Sequence, residues 1–136
     1  MVADTMGWGT PETVKRMIDG VREVASEARV GMHLHDTRGL GIANLYAALS
    51  MGVDLFESSA AGLGGCPFAG HGHARAAGNV CTEDAAFLCH ELGIETGVDL
   101  EALTTAARNA EEIIGSPLMG RVMHSGGLDK FKLVAS

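Results

Sequence analysis

Apolar and polar positions alternate through residues 30–35, with Val30, Met32 and Leu34 on one side and Gly31, His33 and His35 on the other. A period of two is that of an extended chain, so the pattern predicts a strand over Val30–His35. Upstream, Val14, Met17, Ile18, Val21, Val24 and Ala25 recur every three or four residues, the spacing of a helix that buries one face. Thr10 suits the N-cap, Pro11 the first helical position and Glu12 the positive helix end. This helix is expected to run to about Ala28. Val2–Thr5 read as the end of a strand whose beginning is missing. A second helix is predicted over about Ile42–Met51, with Leu45 and Leu49 four apart and Gly52 as its stop. Val53–Ser58 reads as a third strand. Residues 60–79 lack periodicity and read as a long glycine-rich loop, a feature often functional in a compact domain. Thr82 is placed as the cap of a helix to about Leu92, ended by Gly93. Asp99 is placed as the cap of another, with Leu103, Ala106, Ala107, Ala110, Ile113 and Ile114 on one face and Gly115-Ser116-Pro117 as its end. Residues 118–136 read as irregular or weakly helical.

Strands alternate with helices at intervals of roughly 25 residues, the pattern of right-handed βαβ units and parallel pairing. The class expected is therefore α/β. The 136 residues, 46% of them apolar, suffice for one globular domain. No apolar run approaches the roughly 20 residues of a membrane helix. The start, MVADTMGWGT, carries neither a basic nor an apolar signal region, so a cytoplasmic location is expected. A formal charge of −7 with only 10 scattered basic residues argues against a nucleic-acid partner. Cys66, Cys81 and Cys89 cannot all pair and form no CxxC, which argues against a disulfide framework. Nineteen glycines, about twice the usual share, suggest backbone brought close to a ligand.

Two segments carry the candidate chemistry. In HLHDTRG, residues 33–39, strand alternation aims His33 and His35 at one face, near the strand's C-terminal end, where parallel α/β folds build their sites. Two converging imidazoles can bind a divalent metal, with Asp36 as an acceptor that orients one of them; the alternative is the polar face of an edge strand. In AGLGGCPFAG, residues 61–70, Cys66 follows Gly62, Gly64 and Gly65. It reads as a nucleophile, an acid or base, or an inert thiol in a tight turn. His71 and His73 in the same loop are expected to face solvent, where with Arg75 they could meet an anion.

The ordered segments HLHDTRGLGIANLYAALSMGV, SSAAGLGGCPFA and AAGNVCTED strongly resemble the C-terminal part of the 3-hydroxy-3-methylglutaryl-CoA lyase family, and ADTMGWGTP is similar to that family's turn after a barrel strand. The resemblance covers essentially the whole chain and is most specific in the Gly-Gly-Cys-Pro loop. It implies the C-terminal portion of a TIM (β/α)8 barrel, with residues 1–136 as one partial domain of about three parallel strands plus helices. It further implies a divalent cation, Mg2+ or Mn2+, held by His33, His35 and Asn79, with Cys66 and His33 catalytic and Asp4 and Thr5 at the substrate. The implied reaction cleaves an acyl-CoA substrate, 3-hydroxy-3-methylglutaryl-CoA, to acetyl-CoA and acetoacetate, a step of leucine degradation and ketone body metabolism. No membrane partner is implied.

Two departures stand out. The family's N-terminal strand, with a metal-binding Asp and an Arg that steadies the enolate, has no counterpart here. The loop between Cys66 and Asn79 is longer, through GHGHARAA. A barrel takes eight strands and about 250 residues, so the expectation is a C-terminal segment, inactive alone, that forms a homo-oligomer or associates with an N-terminal half. Two alternatives remain open: an enzyme of the same superfamily that condenses acetyl-CoA with a 2-oxo acid, and a non-catalytic piece that completes a partner's barrel.

Overall fold

The computed structural model describes residues 1–65 and 78–132. The chain divides into two compact units, one of Met1–Ser59 with Leu63–Val80, the other of Ala60–Gly62 with Cys81–Ser136.

The first unit is a three-stranded parallel sheet, β1 (Val2–Asp4), β2 (Gly31–Leu34) and β3 (Leu55–Glu57), in that spatial order. Helices α1 (Pro11–Val24) and α2 (Gly41–Ser50) connect consecutive strands, as the sequence pattern predicts. Thr10 caps α1: its hydroxyl accepts from the Thr13 N–H at 3.3 Å, and the Thr13 hydroxyl accepts from the Thr10 N–H at 2.7 Å. The helix ends at Val24, not near Ala28. Val24 is 86% exposed, so no packing rewards another turn, and Ala25 leaves the helix at φ −145°. Val14 and Ile18 of α1, Leu45, Ala47 and Ala48 of α2, and Val30, Met32, Leu34, Val53 and Val80 are the buried apolar residues of this unit among the described residues.

α2 begins one residue earlier than expected. Its cap position, Leu40, offers no side-chain bond, and Asp36 Oδ1 instead accepts from the Gly41 N–H at 2.7 Å. Only glycine fits there: a Cβ on Gly41 would lie 2.7 Å from Val80 Cγ2 and 2.8 Å from Asp36 Oδ1.

The second unit holds α3 (Thr82–Glu91), α4 (Leu100–Ile114), α5 (Val122–Ser125) and α6 (Asp129–Lys132), with a tight turn at Ala60–Gly62 in which Ala61 is left-handed at φ 56°. Cys81, not Thr82, takes the cap position of α3, and Thr82 is its first helical residue. Asp99 caps α4 as expected, its Oδ1 accepting from the Ala102 N–H at 3.0 Å, and Gly115 ends it in the left-handed region. The buried face of α4 differs from the one read from its apolar residues. Thr104 and Ala107 are buried, whereas Ile113 and Ile114 are exposed. The Thr104 hydroxyl donates to the Glu101 carbonyl at 2.9 Å, which lets a polar side chain occupy the inner face. Ala61, Ala107 and Met123 pack as a small core with Leu118 against it.

Two buried carboxylates organise this unit. Both oxygens of Glu83 accept from the Ala61 N–H, at 3.1 and 3.0 Å. Asp84 accepts from the N–H groups of Arg121 and Val122. Burial pushes the Glu83 carboxyl above its usual range; Asp84 adds to the shift, while the backbone N–H groups and His124 oppose it.

Candidate functional site

The first unit carries the predicted cluster. In the parallel register, His33 of β2 lies between Ala3 of β1 and Glu57 of β3. His35, one residue past the strand, forms an isolated bridge with Asn79. The bridge is reinforced on either side: the Asp36 N–H donates to the Gly78 carbonyl and the Val80 N–H to the Leu34 carbonyl, both at 3.1 Å. The strand-like path predicted as far as His35 is thus continued by this return segment.

As strand alternation predicts, His33 and His35 share a face. Their ring centroids lie 5.1 Å apart and their Nε2 atoms 3.1 Å apart. His33 Nδ1 lies 3.0 Å from Glu57 Oε2. His35 is almost completely buried, and its Nδ1 has no hydrogen-bond partner among the described residues. Burial holds the His35 imidazole below its usual pKa; the neighbouring His33 adds to this, and the Asp4 carboxylate and the Asn79 amide oppose it.

Asn79 donates through Nδ2 to the Leu63 carbonyl at 3.0 Å. The Ser59 hydroxyl donates to the same carbonyl. These two bonds fix the start of the glycine loop and set the Asn79 amide orientation, which leaves Oδ1 as a buried acceptor with no partner among the described residues. Cys66, His71, His73 and Arg75 lie outside the described residues.

Asp4 ends β1, and its carboxylate is held by the turn that follows. Oδ1 accepts from the Trp8 N–H and Oδ2 from the Gly9 N–H, each at 2.9 Å. Asn44, wholly buried on α2, donates to the Gly9 carbonyl at 2.9 Å. Arg38 donates to the Met6 carbonyl at 2.9 Å. The turn is thereby tied to the segment after β2. Thr5 is exposed beside it.

Sequence reasoning assigned the orienting carboxylate to Asp36. The bond from Asp36 Oδ1 serves the Gly41 N–H, and the carboxylate that bonds a histidine of the pair is Glu57. The one available signal was an acidic residue at the C-terminal end of the next strand, which means nothing until the register is known.

Two imidazole nitrogens facing each other, with a buried and unpaired amide oxygen on the bridge partner of His35, are a donor set suited to a divalent cation. His33, His35 and Asn79 therefore fit such an ion. Among the described residues, no group of three His, Cys, Asp or Glu side chains is placed to hold a metal. An anionic ligand is accordingly not part of this donor set. No described helix is long and apolar enough to cross a membrane.

Comparison with known proteins agrees with the resemblance read from the motifs. The model of the HMGL-like family matches residues 1–109. A hydroxymethylglutaryl-CoA lyase of Bacillus subtilis is 38% identical over 120 residues, 88% of this chain and 39% of its own length. That of Pseudomonas mevalonii is 46% identical over 102 residues, 75% of this chain and 33% of its own. Among solved structures, an HMG-CoA lyase from Acinetobacter baumannii in complex with coenzyme A and 3-methylmalate aligns with a TM-score of 0.83 at 38% identity, over 93% of this chain and 40% of that one. The chain thus spans about two fifths or less of the length of these relatives.

Proposed function

The chain belongs to the HMGL-like family, and on that premise we propose that it is a segment of a metal-dependent lyase that cleaves 3-hydroxy-3-methylglutaryl-CoA to acetyl-CoA and acetoacetate. The observation that carries this reading is the convergence of His33, His35 and the unpaired Asn79 oxygen. The coenzyme A in the Acinetobacter relative supports an acyl-CoA substrate.

The cleavage removes a proton from a tertiary hydroxyl and leaves negative charge on a departing enolate. His33, His35 and Asn79 would hold the cation, Mg2+ or Mn2+, and the chemistry it supplies when bound is acidification of that hydroxyl and orientation of the bond to be broken. His33, partly exposed and with Nδ1 3.0 Å from Glu57 Oε2, is the residue of the pair placed to relay the hydroxyl proton. Asp4, with its carboxylate fixed by two N–H groups, and Thr5 beside it form the substrate side of the site. Cys66 delivers or takes a proton at the enolate carbon once water is excluded. The Asp and Arg supplied elsewhere in the family have no counterpart in this sequence, so the 136 residues form one partial barrel domain that acts with the remaining strands of a second chain or portion. A cytoplasmic location is part of the same reading.

Complementation tests the proposal. The chain is mixed with the N-terminal portion of a full-length relative, such as the Bacillus subtilis lyase, and acetoacetate release is followed. Release is expected from the mixture and from neither part alone. Turnover by this chain alone overturns the account of the missing groups. An associated but inactive mixture overturns the catalytic reading in favour of a non-catalytic piece. Consumption of acetyl-CoA with a 2-oxo acid, in place of cleavage, identifies a condensing enzyme.

A further inference from the structure

The carbonyl of Leu63 is the meeting point of two donors. The Ser59 hydroxyl donates to it from four residues back, and Asn79 Nδ2 donates to it at 3.0 Å from the far end of the glycine loop. A carbonyl oxygen has two lone pairs and no proton, so the two bonds saturate it. The same fact fixes the amide. Turned over, Asn79 would set Oδ1 against a second acceptor at that distance. Nδ2 therefore faces Leu63, and Oδ1 is left buried beside the ring of His35, the bridge partner of Asn79.

Of the two donors, Ser59 is anchored independently of the amide. Its own N–H donates to the Val80 carbonyl at 3.2 Å, and the Val80 N–H donates to the Leu34 carbonyl at 3.1 Å. Ser59 is thus tied through Val80 to β2. Leu63 stands between Gly62 and Gly64, at φ 69° and 79°, and glycine backbone has the widest conformational freedom. Gly64 also admits the amide, since a Cβ there would lie 3.1 Å from Asn79 Nδ2. Without the Ser59 hydroxyl, the carbonyl that orients Asn79 sits on a mobile-by-composition stretch and loses its one fixed donor.

We infer that Ser59 is a positioning residue for the cation site: through the Leu63 carbonyl it locks the Asn79 amide with Oδ1 turned toward His35, and so links occupancy of that site to the neck of the glycine loop. The link rests on the metal-centre reading above. An amide is one conjugated unit, so a cation on Oδ1 draws density from Nδ2 and makes its N–H a stronger donor to Leu63. Such coupling is reciprocal. Whatever loosens the Leu63 carbonyl weakens cation binding, and cation uptake tightens the bond at Leu63.

The test is resolved at Asn79 itself and needs no turnover. The chain is labelled with 13C and 15N, and the Asn79 side-chain amide is followed by NMR, first with a chelator and then in a titration with Zn2+, a diamagnetic probe. With chelator, the wild type is expected to show a coupling across the hydrogen bond from Asn79 Nδ2 to the Leu63 carbonyl carbon, and slow exchange of one Nδ2 proton. Zn2+ is expected to slow that exchange further. Ser59→Ala is expected to lose the coupling and to raise the Zn2+ midpoint at Asn79 about tenfold, the low end for loss of an outer-shell partner. Ser59→Thr keeps the hydroxyl and is expected to behave as the wild type in both readouts. An Asn79 amide that is not bonded to Leu63 in the wild type overturns the inference, whether or not Ser59→Ala folds. An unchanged Zn2+ midpoint in Ser59→Ala overturns it too, as does a midpoint that rises while the coupling persists. An amide that loosens in Ser59→Ala but responds to Zn2+ in none of the three chains supports the clamp and overturns the metal-centre reading instead.

Discussion

A methyl group added at Gly120 tests how the second unit holds Ala61. Glu83 is wholly buried, and both its oxygens accept from the Ala61 N–H. Ala61 sits at φ 56°, a left-handed conformation that costs a non-glycine residue about 1–2 kcal/mol and is kept by this bond. A Cβ on Gly120 would lie 1.9 Å from Glu83 Oε1 and 2.9 Å from Met123 Sδ. Gly120→Ala must therefore displace the carboxylate. Overpacking costs about 1–3 kcal/mol, and the orphaned Ala61 N–H about 1–3 kcal/mol more. Glu83→Ala also orphans that N–H but opens the space the methyl group needs. In the Glu83→Ala background, Gly120→Ala is then expected to cost less than about 1 kcal/mol, against about 2–6 kcal/mol in the wild type, a coupling of at least about 1 kcal/mol. Urea denaturation of the four proteins, followed by far-ultraviolet circular dichroism, measures the cycle. Effects that add to within about 0.5 kcal/mol would refute the reasoning, because contacting residues do not behave independently. Rapid hydrogen exchange of the wild-type Ala61 amide would refute it equally, since the carboxylate is its partner.

Three further outcomes are expected. The chain should bind Mg2+ poorly, since its two imidazoles and one amide include no anionic oxygen, yet retain weak binding of Mn2+, Co2+ or Zn2+. Calorimetry on the wild type and on a His33→Ala/His35→Ala variant checks this; the double variant should lose the binding, and the wild type should weaken below roughly pH 6 as protons compete. The carboxyl of Glu83 lies above its ordinary pKa because of burial, so the neutral form is favoured on folding. Its contribution to stability is present below the ordinary value near 4.5 and is lost as pH rises through the folded value. Relative to Glu83→Gln, the wild type should therefore lose stability as pH rises above about 4.5, measured as urea midpoints. In the complemented enzyme, Cys66→Ala should lower acetoacetate release by about 10²–10⁴-fold, the range for loss of a general acid or base; near-normal turnover would remove Cys66 from the mechanism.

What the linear sequence determined is whatever depends on neighbours within a few residues. The period-two run through β2 and the three- and four-residue spacing of α1 placed these elements, and Thr10 and Asp99 were legible as caps because the bond each makes lies within three residues. The shared face of His33 and His35 followed from strand alternation alone. The Gly-Gly-Cys-Pro loop pointed to a family that the comparisons bear out. Local spacing failed where burial comes from outside the element. It ran α1 past Val24, which has nothing to pack against, and gave α4 an inner face of isoleucines where Thr104 and Ala107 are buried. Only the tertiary structure decided that Glu57, 24 residues from His33, bonds its ring, and that Asn79 closes on His35. Both depend on the parallel register of β2 with β3 and on the return of the chain at Gly78–Val80. A one-residue change of register would turn the Glu57 side chain to the opposite face of the sheet. The residue types for a cation site were therefore visible in the sequence, whereas which of them face one another was set by which strand lies beside which.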